Sequence, residues 1–300
     1  MIARLLPVAC LLSLVPVAPA AAQAPPADVQ IVATKLTDTL YAVDGQGGRI
    51  GVLAGPDGIF MVDSQFPQVA ERVAAAIRQI SPAPLRFLVN THVHGDHTGG
   101  NEHFAKLGAA IMGRPLLRQR LLRPAPPATG GPSAAPAPAA ALPVMIYDTR
   151  TVVHMNGEGV ELIPLPLAHT DGDTAVRFPA ADVLMTGDVF RSVGYPNIDR
   201  TNGGSLAGLL AAFDTLLAAS GPATRVVPGH GPITNRAAIA AHKDMVVAIR
   251  DRVARLLKQG QTLPQITAAK ITADYDMATG NAATTADRFV GQVYAELGGK

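Results

Sequence analysis

The chain has 300 residues, 48% of them apolar, so it is long enough to bury a sizeable core as one large domain or two small ones. Its charges nearly balance, with 25 Lys and Arg against 23 Asp and Glu, a formal net charge of +2. The sequence has no basic run and only 4% aromatic residues, which argues against a surface that binds nucleic acid.

The first 22 residues have the pattern of a secretory signal peptide. A short basic start at residues 1–4 precedes an apolar run at residues 5–18, which is too short and too interrupted by prolines for a comfortable membrane span. Small residues offer cleavage sites near positions 22–24. We therefore expect export to a periplasm or beyond, with no stable membrane insertion after cleavage.

The single cysteine, Cys10, lies within this leader. A lipoprotein signal is an alternative, but Pro7 stands where such signals usually carry Leu. Cleavage after Cys10 would leave a mature chain without disulfides and without a thiolate metal ligand.

The rest, residues 28–300, is predicted to form one domain of strands and helices. The apolar patterns and turn residues predict the following elements: an antiparallel meander of strands at 39–43, 49–53 and 58–62, a helix at 69–80, a strand at 85–89, helices near 101–107 and at 114–122 around a strand at 109–112, a hairpin at 151–154 and 160–165, strands at 174–178, 182–186 and 225–227, and helices at 206–219, 235–258 and 287–297. Two halves, each with strands followed by helices, imply an α+β fold with four layers, an αββα sandwich.

One segment of this domain, residues 124–143, is almost wholly Pro, Ala, Gly and Ser. Such a composition predicts a mobile surface insert without regular structure. The insert could lie beside the mouth of an active site or be a passive loop.

The densest group of chemically active side chains is His92, His94, Asp96 and His97. The two first histidines follow an apolar strand, and alternation along a strand would point both rings the same way. Gly95 would then break the strand, so that Asp96 and His97 reach the same space from a loop. Imidazoles with a carboxylate suit zinc, manganese or iron.

Three further residues, His169, Asp188 and His230, each follow an apolar strand-like run. Metal-binding and catalytic residues collect at strand ends in layered α/β folds. The ordered set, H-x-H-x-D-H followed by H, D and H, resembles the metallo-β-lactamase superfamily over nearly the whole mature chain. The resemblance implies that one zinc takes His92, His94 and His169, that the other takes Asp96, His97 and His230, and that Asp188 bridges the two.

Such a pair of ions predicts a hydrolase that acts on a small molecule. Two divalent ions about 3.5–4 Å apart can hold a hydroxide at neutral pH, which attacks a carbonyl carbon while one ion polarises its oxygen. Asp96 could also orient the nucleophile or carry a proton, so it is the candidate catalytic residue.

Asp188 bears on the substrate. In the resembled family, the best-known β-lactamase subclasses have Cys or Ser at the matching position, whereas glyoxalase-type thioesterases, lactonases and many exported relatives have the bridging Asp. Relatives with two irons have Glu where His94 stands, which favours zinc. The leading hypothesis is an exported zinc hydrolase of a cyclic amide, ester or thioester, β-lactamase-like. The alternatives are a glyoxalase-type thioesterase, a lactonase, and a non-catalytic periplasmic metal-binding protein.

Five other residues are weaker candidates. Arg191 could hold a substrate carboxylate, Asn202 could donate to an oxyanion or mark a turn, and Tyr195 could line the pocket. Asp173 could accept a hydrogen bond from a ligand histidine or cap a turn. Asp63 could be a ligand, but the resemblance favours a residue that braces the metal loop.

Overall fold

The computed structural model describes residues 29–124, 135–280 and 283–299. The predicted signal peptide with Cys10, the cleavage site and half of the Pro- and Ala-rich insert lie outside these residues. In the described part of the chain, no helix combines the length and apolar character needed to cross a membrane.

The first half of the chain forms a seven-stranded mixed sheet. Its strands, in both chain order and spatial order, are β1 (Val32–Lys35), β2 (Leu40–Asp44), β3 (Ile50–Gly55), β4 (Gly58–Val62), β5 (Leu85–Val89), β6 (Ala110–Gly113) and β7 (Met145–Ile146). The first four pair antiparallel as the predicted meander. The last three add in parallel, so the ends of β4, β5 and β6 meet at one edge.

The second half forms a six-stranded sheet. Its spatial order runs backwards along the chain, through β13 (Thr234–Asn235), β12 (Arg225–Val227), β11 (Val183–Met185), β10 (Thr174–Phe178), β9 (Glu158–Pro164) and β8 (Thr151–Met155). Only β11 and β12 pair in parallel. Their carboxyl ends therefore lie side by side, and the loops that follow them start from the same edge.

Helices cover the outer faces of both sheets. Four precede the second sheet: α1 (Ala70–Ile80), α2 (Gly95–Thr98), α3 (Asn101–Lys106) and α4 (Pro115–Leu121). Four follow β11: α5 (Leu206–Ala218), α6 (Arg236–Lys258), α7 (Leu263–Ala268) and α8 (Ala283–Glu296).

Alternation along the strands produces the layers. In β4, Ile59 and Met61 pack with α1, whereas Phe60 and Val62 pack between the sheets with side chains of the second sheet such as Phe178. A third cluster joins the second sheet to α5, α6 and α8. The predicted αββα sandwich is confirmed, because three apolar layers separate helices, sheet, sheet and helices.

The insert is less irregular than its composition predicts. Residues 139–141 form a 3₁₀ helix, Ala141 and Leu142 are buried, and the Ala141 carbonyl accepts a hydrogen bond of 3.0 Å from Asn101 Nδ2. The Ala137 amide donates to Leu121 O at 2.8 Å. The expectation that residues 124–143 lack regular structure is therefore wrong for their last part, since small residues can pack where backbone groups find partners.

His242 lies on α6, which the sequence predicts as an amphipathic helix. Its burial predicts that the fold loses stability in acid. Its ring packs edge-on against Phe190 and Phe213, and burial, with a smaller effect of Arg191, lowers the pKa of His242 to about 4. As the pH falls, His242 therefore becomes protonated at a lower pH in the folded chain than in the unfolded chain. His242 therefore costs no stability above about pH 6.5, and its penalty grows as the pH falls toward 4.

The free energy of unfolding of the unchanged chain should fall between pH 6.5 and 4. We expect this fall to be about 1–3 kcal/mol smaller in His242→Leu. Urea unfolding at several pH values measures this difference, with His154→Leu on exposed β8 as the control. Parallel pH profiles for His242→Leu and the unchanged chain would contradict the prediction.

Candidate metal centre

The segment after β5 carries four of the predicted ligands. The strand ends at Val89, and His92 lies in a bend rather than in the strand. His94 precedes α2, the single turn that carries Asp96 and His97. The alternation argument is therefore wrong in detail, because the strand ends before both histidines. The rings of His92 and His94 still converge, with centroids 4.9 Å apart.

The other three predicted ligands come from the second half of the chain. His169 follows β9, Asp188 lies in the 3₁₀ helix Gly187–Val189 after β11, and His230 follows β12. His92, His97, His169 and Asp188 are buried, whereas His230 is partly exposed. The two sheets thus deliver both halves of the set to one edge of the sandwich.

The seven side chains form overlapping groups. Their ligand atoms lie within 4.8 Å of one another in three sets: His92 with His94 and His169, His92 with His97 and Asp188, and Asp96 with His97 and His230. Asp188 stands between the sets, since its Oδ2 lies 4.0 Å from His169 Nε2 and 3.4 Å from His230 Nε2. Its Oδ1 lies 3.4 Å from His97 Nε2.

The inner atoms of this cluster fit divalent metal ions. His92 Nε2, His97 Nε2 and Asp188 Oδ1 are buried, and among the described residues they have no hydrogen-bond partner. Buried polar atoms without a partner are costly and need an explanation. Imidazole nitrogens with carboxylate oxygens match the ligands that zinc uses in open sites. The donor set therefore fits one metal ion on either side of Asp188.

The pKa values of the histidines differ between the two sides of the cluster. Burial, reinforced by the neighbouring imidazoles, lowers the pKa of His92 well below its ordinary value and that of His169 to about 4. Both rings are therefore neutral at pH 7 and keep a lone pair for a metal ion.

On the opposite side of the cluster, carboxylates raise the pKa of two histidines. Burial opposes the charged form of His97, but Asp63 and Asp188 outweigh it and raise the pKa of His97 well above its ordinary value. In the same way, Asp188 and Asp96 raise the pKa of His230 to about 9. A cation between these carboxylates would displace the protons, so its binding weakens as the pH falls.

Asp63 braces the metal loop rather than reaching its centre. It is 1% exposed, and its Oδ2 accepts a hydrogen bond of 2.7 Å from His97 Nδ1. The Thr91 hydroxyl donates to the same oxygen at 2.7 Å. Having donated its only proton, this hydroxyl accepts from His92 Nδ1 at 3.0 Å. One carboxylate thus fixes two rings with Nε2 facing inward.

Asp173 was predicted either to accept a hydrogen bond from a ligand histidine or to cap a turn, and it caps a turn. It accepts hydrogen bonds from the backbone amides of His169 and Thr170 and from the Thr170 hydroxyl. The His169 ring instead pairs through Nδ1 with the Asn197 carbonyl at 2.6 Å. Asp173 therefore shapes the loop that presents His169 and does not contact its ring.

Of the predicted substrate contacts, Tyr195 is wrong, and Arg191 does not line the cleft described below. The ring of Tyr195 is fully buried in the core, and its hydroxyl lies within hydrogen-bond distance of Thr272 O and Asp276 Oδ1. Tyr195 is buried because the loop after Asp188 packs against α8, with the Tyr195 ring stacked on Phe289. Arg191 is partly buried, with its Nε turned inward.

Asn202 does line the cleft, and its amide is partly engaged. Its Nδ2 donates to Asp199 Oδ2 at 2.7 Å, and its Oδ1 accepts from Arg120 at 3.3 Å. One of its two amide hydrogens is thus used, which leaves the other for a second acceptor. Asp199 itself, which the sequence analysis missed, accepts a hydrogen bond of 2.7 Å from His94 Nε2.

A cleft of about 900 Å³ opens beside His94 and Asp96. Its walls combine apolar side chains with polar ones, among them Phe66, Val93, Leu121, Ile198, Asn197, Gln292, Arg120 and Arg123. Pro124, Ala135 and Ala137 also line it, so the described ends of the Pro- and Ala-rich insert lie at its mouth. The volume suits a substrate of moderate size.

The described residues resemble known proteins in sequence pattern and in fold. A family model described as the metallo-beta-lactamase superfamily matches residues 43–230, a range that includes all seven side chains of the cluster. None of the curated protein sequences compared with the chain gives a significant match.

Solved structures share the fold at low sequence identity. The stereoselective inverting sec-alkylsulfatase Pisa1 from Pseudomonas sp. aligns with a TM-score of 0.69 and 17% identity over 90% of this chain and 50% of its own. A double mutant of that sulfatase aligns with a TM-score of 0.67, also at 17% identity and with the same shares of both chains. A metallo-beta-lactamase from Pontibacter korlensis aligns at 0.61 and 19% identity over 72% of this chain and 99% of its own. The chain thus spans about half the length of the alkylsulfatase.

Proposed function

The chain belongs to the metallo-beta-lactamase superfamily, and from this we propose that it is an exported hydrolase that holds two zinc ions and cleaves a cyclic amide, an ester or a thioester. The observation that carries the proposal is the inward-facing set of unpartnered buried atoms on His92, His97 and Asp188. Among the metals that these nitrogen and oxygen donors suit, zinc is preferred because relatives with two irons have Glu at the position of His94.

Asp188 and Asp96 have different roles in the proposed reaction. Bound in these positions, the two ions would lower the pKa of a water molecule and polarise a carbonyl oxygen. Asp188 keeps both halves of the cluster together, since its Oδ1 faces His97 and its Oδ2 lies near both His169 and His230. Asp96 Oδ2 lies 3.0 Å from His230 Nε2, and the side chain is 22% exposed to the cleft. Its contacts with His97 and His230 are both made by Oδ2, so among the described residues Oδ1 is left to accept a proton from a water molecule or a substrate there.

The walls of the cleft favour an acyl compound with an apolar body. Phe66, Val93 and Ile198 line the approach to His94 and Asp96 and would exclude water from the reacting carbonyl. Asn197 and Gln292, which bond to each other at 2.8 Å, stand on the same wall. The likeness to a sec-alkylsulfatase, at 17% identity, concerns the fold alone and adds no support for sulfate esters.

The first test measures hydrolysis of a chromogenic cephalosporin by the zinc-loaded chain, with lactones and thioesters assayed in parallel. We expect turnover on at least one carbonyl substrate, loss of that turnover with a chelator, and at least a 100-fold lower rate in Asp188→Ala. Asp214→Ala is the matched control, because Asp214 is an exposed aspartate of α5 that pairs with Lys243.

The outcomes separate the alternatives. Chelator-sensitive turnover of the cephalosporin would establish a β-lactamase with a bridging aspartate, whereas turnover of the other substrates alone would establish a lactonase or a thioesterase. A chain with two bound zinc ions that cleaves none of them would favour a metal-binding accessory protein and overturn the hydrolase proposal.

A further inference from the structure

His94 differs from the other histidines of the cluster in the nitrogen that it turns inward. His92, His97 and His169 each tie Nδ1 to an outer partner, which leaves Nε2 for the centre. His94 has the reverse orientation: its Nδ1 lies 3.0 Å from His169 Nε2, and its Nε2 faces Asp199. A ring that offers the Nδ1 lone pair must carry its proton on Nε2.

Asp199 supplies the acceptor for that proton. Its Oδ2 lies 2.7 Å from His94 Nε2, a distance typical of a hydrogen bond to a charged acceptor. The contact joins residues 105 positions apart and spans the two halves of the sandwich. Without it, the Nε2 proton would face the cleft and the ring would be free to turn over.

Asp199 is itself held rigidly. It precedes the 3₁₀ helix Arg200–Asn202, and its carboxylate accepts from the Asn202 backbone amide at 3.1 Å and from Asn202 Nδ2 at 2.7 Å. Its own amide donates to the His169 carbonyl at 2.9 Å. The residue is therefore linked to two members of one set, the ring of His94 and the backbone of His169.

We propose that Asp199 is a positioning residue that sets metal affinity at the site formed by His92, His94 and His169, and only there. No contact of Asp199 reaches His97 or His230 among the hydrogen bonds of the described residues. The inference rests on the proposed function in one respect, that these histidines hold a metal ion.

Stepwise zinc binding to the chelator-stripped chain, followed by calorimetry, tests this inference. The unchanged chain is expected to bind two ions. In Asp199→Ala one dissociation constant should rise about 10–100-fold while the other stays the same. Cobalt(II) gives a second readout, since only the visible absorption bands of the weakened site should change.

A conservative variant separates positioning from bulk stability. In Asp199→Asn the amide oxygen can still accept the His94 proton, so affinity should return to within about threefold of the original. Asp214→Ala serves as the control for loss of a carboxylate. If Asp199→Ala does not fold, Asn202→Ala tests the same inference, because it removes the Nδ2 hydrogen bond to Asp199 Oδ2, the oxygen that faces His94, and should weaken the same site alone.

Each failure has a distinct signature. If the unchanged chain binds no zinc, the proposed function itself is wrong. If it binds two ions, and Asp199→Ala binds both with unchanged affinity or weakens both equally, then the hydrolase proposal stands and the role assigned to Asp199 is wrong.

Discussion

Replacing Asp63 with alanine is expected to lower the free energy of unfolding of the metal-free chain by about 3–5 kcal/mol and to abolish tight zinc binding at both sites. The carboxylate accepts hydrogen bonds from the Thr91 amide, the Thr91 hydroxyl and His97 Nδ1, each at 2.7 Å. Its loss leaves buried donors without a partner, at about 1–3 kcal/mol each. Urea unfolding in the presence of a chelator measures the loss, and metal analysis after dialysis measures retained zinc.

Asp63→Asn separates the effect on the fold from that on the metal. The amide keeps the shape and tolerates the backbone φ of 64°. Its oxygen can accept from the Thr91 backbone, which leaves its NH₂ group facing His97 Nδ1 and the Thr91 hydroxyl. Both His97 and, through Thr91, His92 would then move a proton to Nε2, the atom that faces inward.

We therefore expect Asp63→Asn to unfold at a urea concentration closer to that of the unchanged chain than Asp63→Ala does, yet to retain little zinc. Full zinc content in Asp63→Asn, with unchanged affinity, would show that this carboxylate does not set the orientation of the two rings.

Gly48→Ala is expected to eliminate zinc binding at His97 and to lower hydrolysis at least 100-fold. A Cβ at position 48 would lie 2.1 Å from His97 Cε1 and 2.2 Å from its Nε2. The ring is 0% exposed and bonded to Asp63, so it cannot move aside without leaving its place. Overpacking of this kind costs about 1–3 kcal/mol in stability.

Gly221→Ala is the matched control for this substitution. Its added Cβ would meet only Thr224 Oγ1, at 3.7 Å, an ordinary contact. Zinc content and hydrolysis should remain unchanged in Gly221→Ala and fall in Gly48→Ala. Equal zinc content in the two variants would contradict the position of the His97 ring beneath the turn between β2 and β3.

The sequence alone was sufficient for the fold and for the set of metal-binding candidates. Continuous apolar runs such as β4 predict buried strands, and β4 is buried along its whole length, between α1 and the other sheet. The cluster was recognisable because metal binding requires particular side chains. Four of them, from His92 to His97, lie within six positions.

Short elements escaped the sequence analysis. Strands β1, β7 and β13 and helix α7 have between two and six residues each, too few for a periodic pattern. Pairing with a neighbouring strand, rather than local preference, forms the three strands. In the same way, the end of the Pro- and Ala-rich insert is ordered by contacts with Asn101 and Leu121.

Only the tertiary structure decided which polar residues support the site. Asp199, Asn202 and Tyr195 lie in one short stretch of sequence, and nothing local distinguishes the acceptor for His94 from the residues that face elsewhere. Asp199 pairs with a histidine 105 positions earlier, whereas the Tyr195 hydroxyl bonds to residues about 80 positions later. The first contact depends on the relative placement of the two sheets and the second on the packing of the helices after β13. Both follow from burial of the whole core, which leaves no mark on neighbouring residues.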